Sequence, residues 1–142
     1  MTTVVWRDRV LAADSMISSH QAIREPCSFV KIQRLKEKKG LLGNVGIVSH
    51  FNAVKAALEG RRSLPSWGNG DAAAILIKPD ATVWQYDGEG DWYELEGAYF
   101  AWGSGAAVAY GALAMGASAA EAVEIASEFD LYTGGRIVEI EL

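Results

Sequence analysis

Met1-Thr2-Thr3-Val4-Val5-Trp6-Arg7-Asp8-Arg9-Val10-Leu11-Ala12-Ala13-Asp14 opens the chain. Residues 3–6 are β-branched or aromatic and read as a strand. Arg7-Asp8-Arg9 reads as a tight turn, and residues 10–13 read as the return strand. Chain ends usually fray unless a sheet holds them. Here the first residues are themselves sheet, so Thr2 is expected at a fixed position, with Asp14 across from it where the second strand ends.

Beyond this hairpin, residues 16–26 are polar and mixed, a loop with a short strand. Residues 28–32 (Ser-Phe-Val-Lys-Ile) alternate as a half-buried strand does. Residues 41–48 form an apolar run containing Gly43 and Gly46, a strand with close backbone approach. Residues 52–58 suit a short helix stopped by Gly60, and 61–70 is a loop with Pro65, Gly68 and Gly70. Strands are predicted at 73–78, 82–86, 92–95 and 98–102, with Pro79-Asp80 and Asp87-Gly88-Glu89-Gly90 as turns. Residues 106–115 form a helix of small residues ended by Gly116. Ser118-Ala119-Ala120-Glu121 is a capping box, followed by an apolar stripe of Ala122, Ile125, Ala126 and Phe129. Gly134-Gly135 breaks that helix, and residues 136–142 alternate as a last strand. Hairpins, two helices and a final strand are not a βαβα alternation. The order predicts an α+β fold with mainly antiparallel sheets and helices outside them, as one domain over residues 1–142.

The 142 residues are 50% hydrophobic and 22% charged, a composition that supports a packed core. A net charge of −5 argues against a nucleic-acid binder, which needs clustered Lys and Arg. The basic run 36–39 is broken by Glu37 and reads as a solvated hairpin tip. The single cysteine, Cys27, excludes a disulfide framework and a cysteine-based zinc site. No stretch is apolar and long enough to span a bilayer, and no signal peptide is visible. The expected location is the cytoplasm, with no membrane or nucleic-acid partner.

Most residues that invite a chemical reading have a plainer one. Gly103-Ser104-Gly105 lacks the third glycine of a dinucleotide fingerprint and the flanking glycines of a nucleophile elbow. Asp87, Glu89 and Asp91 read as a charged turn, without the full calcium-loop pattern. His20 and His50 pair with no Ser or Cys in sequence. Thr2 is different. It follows an initiator Met and is small, so removal of Met1 exposes a threonine with a free amine. Its hydroxyl is then a nucleophile, and its α-amine, with an ordinary pKa of about 7.7–8.0, a base in the same residue. Such a site needs a cation, carboxylates and backbone N–H donors. Asp14 and Lys31 are candidates. An inward-facing Lys31 in an apolar stretch requires a partner.

Taken together, these segments resemble the proteasome β-subunit family, including the HslV peptidases. Thr2-Thr3-Val4-Val5 is similar to that family's mature N-terminus, and Ala13-Asp14-Ser15 to its Asp turn. Phe29-Val30-Lys31-Ile32 resembles the strand carrying its lysine, and Ala101-Trp102-Gly103-Ser104-Gly105 its strand-to-helix G-S-G. Asp130-Leu131-Tyr132-Thr133-Gly134-Gly135 resembles its D-x-x-[S/T]-G-G motif. The resemblance implies a four-layer αββα sandwich of two antiparallel sheets and hydrolysis of peptide bonds without metal or cofactor. It implies Thr2 as nucleophile, Lys31 tuning it, Asp14 orienting Lys31, and Ser104, Asp130 and Thr133 anchoring the terminus. The oxyanion donor is expected near Ser49. It further implies a homo-oligomeric ring acting on peptides or unfolded proteins, with a possible ATP-driven unfoldase. The sequence departs from the pattern in a much shorter segment between Glu59 and Ala72 and in Ile47-Val48-Ser49-His50 at the glycine-rich turn. An inactive ring scaffold and a small-molecule amidase of the same chemistry are the alternatives.

Overall fold

The computed structural model describes residues 2–18, 29–60, 62–68, 70 and 72–142; Met1, His20, Cys27 and Ser28 lie outside them. The opening hairpin forms as read, with β1 at Thr3–Arg7 and β2 at Val10–Ala13. The turn between them uses left-handed backbone at Asp8 and Arg9, the twist that lets a two-residue connection join antiparallel strands. β1 is one of the two inner strands of the first sheet. It pairs with β2 on one side and with β8 (Tyr99–Gly103) on the other, and β9 (Val138–Glu141) adds to β2, giving the order β8-β1-β2-β9.

The second sheet has the order β3-β4-β5-β6-β7, from β3 (Ile32–Arg34), β4 (Leu41–Val45), β5 (Ala73–Ile77), β6 (Val83–Tyr86) and β7 (Tyr93–Leu95). Every pairing in both sheets is antiparallel. The sheets stack face to face on Val4, Trp6, Leu11, Ile32, Leu41, Ile75, Ile77 and their neighbours. Helices α2 (Ala106–Ala114) and α3 (Ala119–Phe129) cover the outer face of the first sheet through Val5, Ala12, Ala101, Ala109, Leu113 and Val123. Helix α1 (Val48–Leu58) covers the second through Leu42, Phe51, Val54, Ala74 and Leu76. The alternation along β1 and β4 explains the layering, since successive side chains point to opposite faces and both faces are covered. The result is the expected αββα sandwich.

Three local readings need correction. Lys31 was expected within a strand over 28–32, but β3 begins at Ile32, so Lys31 lies just before it. Helix α1 begins at Val48, before the expected Asn52, and its cap residue Ile47 offers no side chain to mark the start. On α3 the capping box forms, with Ser118 accepting from the Glu121 N–H at 3.2 Å and Glu121 accepting from the Ser118 N–H at 2.8 Å. Its buried stripe, however, is Ala119, Ala122, Val123 and Ala126, while Ile125 and Phe129 are exposed. Small side chains let that helix sit close on the sheet and turn its bulkier residues outward. Among the described residues no helix is long and apolar enough to cross a membrane.

Candidate active site

Thr2 and Thr3 enter the sheet beside the end of β8, and both are buried. The register sets Thr3 opposite Gly103. A Cβ at Gly103 would lie 1.8 Å from the Thr2 carbonyl oxygen, and the residue has φ +97°, so only glycine lets β8 pass this closely. Asp14 follows β2 on the other side of β1 and is 1% exposed. A carboxylate so deeply buried must have its lone pairs satisfied. Asp14 Oδ1 accepts from Thr2 Oγ1 at 2.9 Å, the Thr3 N–H at 3.0 Å and Lys31 Nζ at 2.7 Å. Its Oδ2 accepts from the Met16 N–H at 3.2 Å and the Gly134 N–H at 3.0 Å. One carboxylate thus gathers Thr2, Lys31 and the Gly134 turn.

Lys31 is 5% exposed. Burial lowers its pKa from the ordinary lysine value and outweighs the opposing pull of Asp14, its ion-pair partner, and of Asp130. A lysine held this way gives up its proton more readily than one in solvent, and it sits on the same carboxylate oxygen as the Thr2 hydroxyl.

A second cluster lies on the carbonyl side of Thr2. Asp130 Oδ2 accepts from Ser104 Oγ at 2.6 Å and from Thr133 Oγ1 at 2.5 Å. Thr133 has one hydroxyl proton and gives it to Asp130, so in its 2.6 Å contact with Thr3 Oγ1 it accepts and Thr3 donates. Ser104 Oγ also lies 3.4 Å from the Thr2 carbonyl oxygen. Burial pushes the Asp130 carboxyl up, but hydrogen bonds from Ser104, Thr133 and the Tyr132 backbone, with the positive charge of the N-terminus, together hold it below the usual carboxylate range. Thr3 was not singled out in the sequence. Its signal is that a buried strand Thr needs a hydroxyl partner, and only the fold supplies one.

Thr2, Asp14, Lys31, Ser104, Asp130 and Thr133, far apart in sequence, are therefore brought together. Ser49 is not. It is exposed in the first turn of α1 and does not line the cleft beside Thr2. That cleft is lined by Thr2, Ile17, Ser18, Phe29, Lys31, Asn44, Gly46 and Val48. Gly46, which follows β4, lines the cleft where Ser49 does not, because β4 ends at Val45 and α1 starts early. Gly46 has φ +97°, and a Cβ there would fall 2.6 Å from the Ala72 Cβ. His50 stacks on Trp67 at 4.4 Å and is not among the residues lining the cleft, and Asp87 accepts from Gln85 and Tyr93, as a charged turn does.

No protein-family model matches the sequence, and no curated protein matches it. The fold, in contrast, is similar to solved structures over its full length. BPH of Thiobacillus denitrificans aligns with 15% identity and a TM-score of 0.68, covering 99% of this chain and 96% of that one. BPH of the same organism in complex with epoxomicin aligns with 17% identity and a TM-score of 0.68, covering 99% and 97%. The eukaryotic HslV of Trypanosoma brucei aligns with 17% identity and a TM-score of 0.65, covering 99% of each chain. In its two antiparallel sheets and three helices, the chain has the proteasome-like, HslV-type fold, the N-terminal-nucleophile hydrolase fold.

Proposed function

We propose that the chain, as a single domain over residues 1–142, is an N-terminal-threonine peptidase once Met1 is removed. The observation that carries this reading is the shared Asp14 Oδ1, which accepts from Thr2 Oγ1 at 2.9 Å and from Lys31 Nζ at 2.7 Å. In the proposed reaction the freed α-amine of Thr2 takes the hydroxyl proton as Oγ1 attacks a peptide carbonyl. The amine then passes that proton to the leaving nitrogen as the C–N bond breaks, which leaves an ester on Thr2. Water, activated by the same amine, hydrolyses the ester. Lys31 stabilises the developing alkoxide and keeps the nearby amine neutral, Asp14 holds Lys31, and Ser104, Asp130 and Thr133 fix the position of the terminus. The backbone at Gly46, which lines the cleft with Thr2, is a better source of the oxyanion donor than Ser49.

By resemblance to the fold's known members, the peptidase works within a homo-oligomeric ring in the cytoplasm on peptides or unfolded proteins, with an ATP-dependent unfoldase as a possible partner. No cofactor enters the scheme. Hydrolysis of a fluorogenic peptide library tests it. Thr2→Ala is expected to abolish cleavage and Thr2→Ser to retain a measurable part of it. Cleavage that persists in Thr2→Ala overturns the reading.

A further inference from the structure

Among the described residues, three buried side-chain polar atoms lack a hydrogen-bond partner: Asn44 Oδ1, His50 Nδ1 and Glu59 Oε1. Glu59 Oε1 at least faces Lys55 Nζ at 3.9 Å, and His50 is stacked on Trp67. Asn44 is the one that lines the cleft with Thr2 and Lys31. Its residue is 3% exposed. Its backbone is fixed by pairing with Ala74 of β5 and by donating its N–H to the Lys31 carbonyl at 3.0 Å.

The side-chain amide is also oriented. Nδ2 donates to the Ile47 carbonyl oxygen at 3.4 Å. A carbonyl only accepts, so the nitrogen must be the end that faces Ile47, and Oδ1 is turned the other way. An acceptor buried without a donor is costly to a fold unless something else supplies the donor. A leucine of nearly the same shape would carry no such cost, so the amide is better explained by what enters the cleft than by stability.

Resting on the reading of Thr2 as the nucleophile, we propose that Asn44 selects substrates whose acyl-donating residue has a short, uncharged side chain bearing a hydrogen-bond donor: Ser, Thr or Asn. When Thr2 Oγ1 attacks a carbonyl, that residue's Cβ is two bonds from the reacting carbon and enters the space beside Thr2. The space measures about 50 Å³. Room for roughly three or four water-sized groups suits side chains of this size. The Lys31 ammonium in the same cleft disfavours a cationic side chain. The substrate's O–H or N–H completes Asn44 Oδ1, whereas an isosteric methyl leaves it unpaired.

Two peptide epoxyketones that differ only in Thr against Val at the acyl-donating position test this, with the rate of adduct formation followed by intact mass. Wild type is expected to react about tenfold to a hundredfold faster with the Thr compound. Asn44→Leu is expected to bring the ratio to about one while holding or raising Tm, since it removes a buried unpaired acceptor. Equal rates in wild type, or an unchanged ratio in Asn44→Leu, overturn the role of Asn44 and leave Thr2 as the nucleophile. Adducts only with epoxyketones of other side chains overturn this inference and leave Thr2 as the nucleophile; no adduct across epoxyketones of varied side chain overturns the reading of Thr2 and this inference with it.

Discussion

Asp14 concentrates the hydrogen bonding of the candidate site, and its vulnerability, in one side chain. It accepts five hydrogen bonds, from Thr2, Thr3, Lys31, Met16 and Gly134. Asp14→Ala strands a buried cation and leaves backbone N–H groups unpaired, and is expected to cost about 3–5 kcal/mol in denaturant unfolding. Lys31→Ala is expected to abolish turnover at a smaller cost, because Asp14 keeps its other donors. A loss of stability in Lys31→Ala equal to that of Asp14→Ala would make the lysine chiefly structural. Asp130 gives a pH signature. Its carboxyl is held below the usual range in the fold, so the stabilisation it brings is present above the unfolded value, about 3.9, and is lost as pH falls through the lower folded one. Unfolding titrations of wild type and Asp130→Asn are expected to converge as the pH is lowered through that window. A constant gap from pH 7 to pH 3 would contradict it.

The strand ends hold these residues in place. Gly103 ends β8 against the Thr2 carbonyl, with no room for a Cβ and a left-handed backbone. Gly103→Ala is expected to cost about 2–4 kcal/mol and to suppress activity by displacing Thr2. A variant of wild-type stability and activity would show that the close approach is not needed. Elements also show what could be read in advance. The opening hairpin and the capping box at Ser118 were legible because their signals are local: a β-branched run, a short turn, a hydroxyl three residues before a glutamate. The start of α1 was not, because Ile47 has no capping side chain and the packing of Phe51 and Val54 under β4 sets the helix instead. Gly46 and Asn44 were missed as site residues for the same reason, since where β4 yields to α1 decides what faces Thr2. The six residues gathered around the terminus were legible through family-like motifs, but their hydrogen bonds, and Thr3 among them, needed the fold.

Across the whole molecule, two sheets pack on one shared core, are covered by helices, and carry the candidate site at their strand ends. Ile75 is fully buried in that core, while Phe129 is 71% exposed on α3. Ile75→Ala is expected to lower stability by about 2–5 kcal/mol, and Phe129→Ala by less than about 0.5 kcal/mol. The reverse order in thermal or denaturant unfolding would contradict the layer assignment. The exposed Phe129 is also why the pattern of bulky residues on α3 misled: a hydrophobic stripe reports a buried face only when the tertiary partner faces it, and here alanines meet the sheet.

The central claim is that Thr2, freed of Met1, is a nucleophile. Intact mass before and after incubation with a peptide epoxyketone, with Thr2→Ala in parallel, tests it most directly. The account predicts a protein lacking Met1 that gains the mass of one inhibitor, and no gain in Thr2→Ala. A protein lacking Met1 that takes no adduct across epoxyketones of varied side chain, or an adduct that persists in Thr2→Ala, would contradict it.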